Sequence, residues 1–291
     1  MTVWKAVRSA AICLSAVLVV AAPSMGGQFA IEWAVLSGGG GEMSSASYRL
    51  NGTLGQGFAG YASSASYQHW IGFWVEPGGV APPQPVVVQN LEQAKLLADG
   101  THVQANGLVA TTSAAAFGSN TLAYLEQEDR ASGIRVVLGS PAGWLVEGAR
   151  VSVTGVMSTT PDQERQIASA TLTLVSPGAP LEPLRMTNKA LGGGNLGVPP
   201  LGQAGVTGGY GVNTVGLLVV VWGTVVNDPS AGYTLLDDGS GTPVRVETGH
   251  LAVLWSQGDY LKVTGLSSLR KNGEILERLI IPRSNADISG I

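Results

Sequence analysis

Two short runs of the chain combine a tyrosine with arginines a short distance further along. The first run contains Tyr124, Arg130 and Arg135, and the second contains Tyr233 and Arg245. Aromatic rings stack on bases and guanidinium groups pair with phosphates, so this combination is typical of a shallow groove that binds a single nucleic-acid strand. We take these five residues as the candidate ligand-binding set.

Acidic residues lie beside both runs and oppose a phosphate ligand. Glu126, Glu128, Asp129, Asp237 and Asp238 would repel a nucleic-acid backbone in the same regions. The whole chain has a formal net charge of −4 at pH 7, which is the wrong sign for indiscriminate phosphate binding. Nucleic-acid binding is therefore an open hypothesis and not the favoured one.

The run 237–241, Asp-Asp-Gly-Ser-Gly, is the best local candidate for a cation site. Calcium takes carboxylate and carbonyl oxygens from tight turns. The run lacks the alternating ligands and the distal glutamate of an EF-hand loop. Asp and Gly are also the usual residues of a turn between strands. We therefore interpret the run as a turn, and we expect no metal and no cofactor.

No arrangement of residues indicates a catalytic centre. The three histidines, His69, His102 and His250, lack the one-turn spacing of a zinc-binding pair. The sequence contains no Gly-x-Ser-x-Gly nucleophile elbow. The glycine runs 38–41 and 192–194 lack the lysine and the following helix of a phosphate loop. We predict that the protein is not an enzyme.

The N-terminus has the parts of a secretory signal. Lys5 and Arg8 precede an apolar run over residues 10–22, and small or turn-forming residues follow it. That run is shorter than the roughly 20 residues of a membrane span. It also holds Cys13, the single cysteine, so the mature chain has no disulfide. We predict a signal peptide over 1–27 and a secreted or cell-surface protein without a membrane span after cleavage.

The rest of the chain is rich in β-branched runs separated by turn residues, with 41 glycines and 15 prolines. Five short strands, repeated once, indicate two small closed barrels and an all-β fold. The predicted strands of the first copy are 101–111, 122–126, 133–138, 149–157 and 166–175. Those of the second copy are 215–226, 233–236, 243–247, 260–266 and 275–281.

Both copies resemble bacterial extracellular OB-fold modules. The first copy has a predicted helix over 91–98 with Asn90 as N-cap, the stop Asp99-Gly100, and the strand Val151-Ser152-Val153-Thr154-Gly155. The second copy has the matching run 260–265. The resemblance implies two five-stranded OB-like barrels in tandem, and its motifs are specific for the fold and not for a function.

The segment before the barrels contains the run Ser-Ser-Ala-Ser-Tyr twice, at 44–48 and 63–67. It resembles a short Gly/Ser/Tyr-rich β segment common in bacterial exported proteins, which implies a small N-terminal β-meander. The domains that we predict are the signal peptide 1–27, the N-terminal β segment 28–76, a linker 77–89, the first barrel 90–176, an inter-barrel connection 177–213 and the second barrel 214–291.

These observations favour a secreted, non-catalytic binding or scaffolding protein. Its expected partner is another macromolecule, either a cell-surface polymer or a protein. The alternative is an extracytoplasmic accessory protein that binds single-stranded nucleic acid through Tyr124, Arg130, Arg135, Tyr233 and Arg245.

Overall fold

The computed structural model describes residues 39–44, 49–54, 60–64, 67–71, 84–229 and 232–290. The predicted signal peptide with Cys13, and most of the predicted linker, lie outside these described residues. The chain divides into two compact units, 1–82 and 83–291. In the described residues, no helix is long and apolar enough to cross a membrane.

The described part of the first unit consists of two antiparallel β-hairpins. Strand β1 pairs with β2, and β3 pairs with β4. The four strands are β1 (Gly39–Ser44), β2 (Arg49–Leu54), β3 (Gly60–Ser64) and β4 (Tyr67–Ile71).

The first barrel closes from five strands in the order β6-β7-β8-β10-β9, with β6 pairing back to β9. Strands β8 and β10 are parallel and the other pairs are antiparallel. Strand β5 pairs in parallel with β6. The last part of the predicted linker therefore forms a strand. The strands are β5 (Val86–Val88), β6 (His102–Ala110), β7 (Leu122–Glu126), β8 (Gly133–Leu138), β9 (Arg150–Thr159) and β10 (Arg165–Ser176).

The second barrel repeats this topology in the order β14-β15-β16-β18-β17, closed by β14 against β17. Its third and fifth strands, β16 and β18, are again the parallel pair. The prediction of an all-β fold with two OB-like five-stranded barrels in tandem is confirmed. The strands are β14 (Leu218–Val225), β15 (Tyr233–Asp237), β16 (Val244–Glu247), β17 (Tyr260–Asn272), β18 (Ile275–Ile281) and the added edge strand β19 (Ile288–Gly290).

Alternating side chains fill each barrel. In β9, Val151, Val153 and Met157 point inward and are fully buried, while the residues between them are more exposed. In β16, Val244 and Val246 likewise point inward and are fully buried. Because successive strand residues face opposite sides, this alternation fixes which residues face outward as potential ligand contacts.

One α-helix, α1 (Leu91–Leu96), packs on the first barrel in the described part of the chain. Its N-cap is Asn90, whose side-chain oxygen accepts a hydrogen bond from the Gln93 backbone N–H at 2.9 Å. Leu91 and Ala94 are buried in the barrel core. The helix ends two residues before the predicted end because the Leu97 backbone is already extended.

The predicted connection between the barrels is well structured. It contains β11 (Leu184–Arg185), which pairs with β14, a 3-10 turn at Asn188–Ala190, and a hairpin of β12 (Leu196–Val198) and β13 (Leu201–Gln203). Leu191 from this segment is buried in the core of the second barrel. The connection is therefore packed against the barrel that follows it.

Candidate ligand-binding surface

Tyr233 and Arg245 form a contact pair on the outer face of the second barrel. They lie on the antiparallel strands β15 and β16, where Arg245 is opposite Leu235 and diagonal to Tyr233. The guanidinium carbon of Arg245 lies 3.9 Å from the centroid of the Tyr233 ring. This cation–π contact holds a ring and a positive charge together at the surface.

An open groove surrounds this pair. It lies on the second and third strands and at the turn between the fourth and fifth strands, the region through which OB folds bind oligonucleotides and oligosaccharides. The side chains that line it are Tyr233, Leu235, Thr242, Pro243, Arg245, Asn272, Ile275, Glu277 and Arg278.

In the described part of the chain, the two arginines of this groove form no ion pair with a carboxylate. Among residues 84–229 and 232–290, six of the nine arginines form an ion pair with Asp or Glu. Arg245 and Arg278 are not among them, and Arg278 makes only a 3.4 Å hydrogen bond to the Lys189 carbonyl oxygen. Partial burial lowers the pKa of Arg278, and the nearby Tyr210 opposes this shift only in part. Two guanidinium groups without an ion pair thus line one groove, together with the single carboxylate of Glu277.

The acidic residues nearby are satisfied by local hydrogen bonds. Asp237 accepts from the Gly239 N–H at 3.0 Å, and Glu247 accepts from the Gly249 N–H at 3.1 Å. Asp238 accepts from two backbone N–H groups, and although slight burial opposes the effect, these bonds hold its pKa below the usual value. Backbone N–H groups thus partly offset the negative charge of these carboxylates, whereas no carboxylate in the described residues pairs with the groove arginines.

The run 237–241 begins at the last residue of β15 and forms most of the loop that leads to β16. Gly239 and Gly241 both have positive φ, at 86° and 70°. In the described part of the chain, no group of three or more His, Cys, Asp or Glu side chains is arranged to hold a metal ion. The run has the backbone geometry of a turn.

The first barrel presents its equivalent face to the second barrel and not to solvent. Tyr124 on β7 is fully buried and packs with Leu218 and Leu266 of the second barrel. Its hydroxyl donates to Glu164 Oε1 at 3.1 Å, and Ser268 Oγ of the second barrel donates to the other oxygen at 2.7 Å. The Tyr124 ring is therefore not exposed for stacking on a ligand.

The two other arginines predicted as ligand contacts also lie at this interface. Arg135 Nη1 is 3.9 Å from Glu164 Oε2. Arg130 pairs with the buried Glu126 at 2.8 Å and donates to the Leu218 carbonyl oxygen at 3.0 Å. Glu126 accepts from the Leu218 backbone N–H in turn. Tyr124 and Arg130 thus connect the barrels to each other and Arg135 lies beside them at Glu164, while Tyr233 and Arg245 remain on an open surface.

The sequence prediction missed Arg278, which joins the groove from the fifth strand. The parallel pairing of β16 with β18 places Arg245 opposite Leu279 and brings Arg278 alongside. Parallel pairing of the third and fifth strands recurs in both barrels, so the predicted OB topology holds the signal that identifies this arginine. The pairing brings together residues more than thirty positions apart in sequence.

The backbone of Gly133 in the first barrel lies directly against the backbone of Gly216 at the start of the second barrel, with no side chain between them. This contact gives a first testable prediction. A Cβ atom on Gly133 would overlap the carbonyl group of Gly216. We expect Gly133→Ala to lower the free energy of unfolding by about 1–3 kcal/mol, because neither backbone can move without shifting a barrel. Urea unfolding of the purified protein measures the change.

Gly143→Ala is the matched control. A Cβ at Gly143 has no neighbour within 4 Å, and the residue does not need positive φ. We expect the control to be unchanged or slightly stabilised, because alanine reduces the entropy of the unfolded chain. Equal stability of the two variants would show that the backbones of Gly133 and Gly216 can move apart without a loss of stability.

Comparison with known proteins gives weak likenesses only. No protein-family model and no curated protein matches the sequence. The crystal structure of the Ifi202 HINa domain in complex with 20-base-pair double-stranded DNA is 11% identical, with a TM-score of 0.34, and covers 63% of this chain and 93% of that chain. A murine DNA-binding protein bound with double-stranded DNA is 13% identical, with a TM-score of 0.33, and covers 62% of this chain and 91% of that chain. Similarity at this level carries no information about what the present chain binds.

Proposed function

We propose that the protein is a non-catalytic binding protein whose ligand site is the open groove on the second barrel. The observation that carries the proposal is the difference between two equivalent faces. The face of β7 and β8 is covered by the second barrel through Leu218, Leu266 and Ser268. The face of β15 and β16 is left open.

The groove has the chemistry of recognition and not of bond cleavage. Its lining includes no histidine or cysteine, and its one carboxylate, on Glu277, accepts a hydrogen bond from Asn272 at 2.8 Å. Ring, guanidinium and amide groups can hold a ligand by stacking and hydrogen bonds. The signal-like N-terminus leads us to place this binding outside the cytoplasm.

The second candidate is that the ligand is single-stranded nucleic acid, and the uncompensated arginines favour it. A strand needs cationic groups for its phosphates and rings for its bases. Arg245 and Arg278 supply the charges and Tyr233 supplies a ring. The acidic residues that opposed this hypothesis in the sequence are either buried at the barrel interface, as Glu126 is, or hydrogen-bonded locally, as Asp237 and Asp238 are.

Binding is tested by fluorescence anisotropy with a labelled oligothymidylate, an acidic polysaccharide and a neutral polysaccharide. We expect Tyr233→Ala and Arg245→Ala each to weaken binding by about tenfold, because one stacked base contributes about 1–3 kcal/mol. Tyr260→Ala is the control, since Tyr260 is also an exposed strand tyrosine but lines a different depression.

The outcomes separate the two candidates. Oligothymidylate binding that weakens with salt and with both groove variants supports the nucleic-acid candidate. Binding of a polysaccharide alone, lost in the groove variants, supports the binding function and rejects nucleic acid as the ligand. If the Tyr233→Ala and Arg245→Ala proteins bind every probe as the unaltered protein does, the groove is not the site.

A further inference from the structure

The open groove continues beyond the barrel onto the inter-barrel connection. Arg278 lines the groove and its Nη2 donates to the carbonyl oxygen of Lys189 at 3.4 Å. The Lys189 ammonium group lies 5.7 Å from the centroid of the Tyr210 ring. Arg278 is thus the link between the groove and a second pair of a cation and a ring.

This second pair is exposed and lacks carboxylate partners. Tyr210 is 62% exposed, and Lys189 is also exposed. Within 84–229 and 232–290, neither Lys189 nor Arg278 forms an ion pair. Asp238 accepts hydrogen bonds from the Asn188 and Ser240 backbone N–H groups, and Glu277, beside Arg278, accepts one from Asn272. The pair therefore has positive charge that the protein itself does not neutralise.

The backbone that presents Lys189 is fixed to the second barrel. Its neighbour Asn188 is fully buried, and the Asn188 side-chain amide donates to the Leu236 carbonyl oxygen at 2.7 Å. Leu191, two residues on, is buried in the barrel core. A contact residue on a rigid support loses little freedom on binding, so Lys189 is well placed to contribute to affinity.

We propose that Lys189, Tyr210 and Arg278 form a second contact for a single strand of nucleic acid, in which the cations bind a backbone phosphate and Tyr210 stacks on a base. This inference rests on the nucleic-acid candidate for the groove. The contacts lead from the Tyr233 ring through the cations of Arg245, Arg278 and Lys189 to the Tyr210 ring. Rings that stack on bases and cations that bind phosphates are the groups that a single strand requires. The bound strand runs from the barrel face onto the connection.

The test compares a short oligothymidylate of about 3 nucleotides with one of about 12, since a single OB fold covers about 4–16 nucleotides. We expect Tyr210→Ala to weaken binding of the long strand by about fivefold or more and to leave the short strand unaffected. Tyr233→Ala weakens both. For Lys189→Met, we expect the plot of log affinity against log salt concentration to become less steep by about 0.7 for the long strand. This is the value for the loss of one phosphate contact on a single strand.

Lys262→Met is the charge-matched control. Lys262 is an exposed lysine on β17, and its cross-strand partners, Trp222 and Ser289, do not line the groove. The thermal midpoint of each variant checks that it is folded. If Tyr233→Ala weakens long-strand binding while Tyr210→Ala and Lys189→Met do not, the second contact is wrong and the groove function stands. If the long oligothymidylate does not bind at low salt, the second contact and the nucleic-acid candidate fail together, while binding of a polysaccharide that is lost in Tyr233→Ala still supports the groove function.

Discussion

Glu164→Ala is expected to lower the free energy of unfolding by about 3–5 kcal/mol, the cost of removing one partner from a buried charged network. Glu164 is almost fully buried between the barrels and accepts hydrogen bonds from Tyr124 and Ser268. Its oxygen also lies 3.9 Å from Arg135. Alanine leaves two buried hydroxyl groups without an acceptor and a guanidinium without its counter-charge. Urea unfolding of the purified protein measures the loss.

Two further substitutions identify the cause of the loss. Glu164→Gln keeps an acceptor for Tyr124 and Ser268, so we expect it to restore part of the stability. Asp162→Ala removes a neighbouring carboxylate that is 3.9 Å from Arg270 and more exposed, so a loss of at most about 1 kcal/mol is expected. A Glu164→Ala protein as stable as the Asp162→Ala protein would mean that the network between the barrels contributes nothing.

The barrels are predictable because local patterns determine them. Val151 and Val153 alternate with polar residues, and this alternation predicts a strand. The fourth strand of the second barrel shows the limit of this approach. Its predicted end is at residue 266, but β17 continues to Asn272. Ser267 and Ser268 interrupt the apolar alternation, yet both are buried. Ser268 donates to Glu164 of the first barrel, and the Ser267 hydroxyl contacts that of Thr214.

The candidate site is predictable only in part, for a related reason. Tyr124 and Tyr233 align in the two copies of the sequence pattern, and both lie on the outward face of the second strand, although the register places Leu235 where Tyr124 is in the first copy. Their environments differ because the second barrel docks on the first through Leu218 and Leu266, which buries Tyr124 and leaves Tyr233 at an open groove. Which barrel covers which is set by contacts between residues far apart in sequence.

Raising the pH from 8 to 10 is expected to increase the free energy of unfolding by roughly 2–3 kcal/mol through Lys95. Lys95 is fully buried, and its ammonium group donates to the Val215 carbonyl oxygen of the adjoining segment at 2.8 Å. Burial lowers the pKa of Lys95 from 10.5 to about 8, against the opposing charge of Glu164. Between these two pKa values the folded protein releases a proton that the unfolded chain retains, so stability rises with pH.

The measurement is urea unfolding at intervals from pH 7 to 10. It stops there because burial raises the pKa of Tyr124 well above 10, so the unfolded chain alone ionises this tyrosine at higher pH and stability falls again. In Lys95→Met the rise between pH 8 and 10 should disappear, while Lys262→Met, at an exposed lysine, should retain it. A rise of the same size in Lys95→Met would assign it to another group and leave the buried ammonium without a role in the pH dependence.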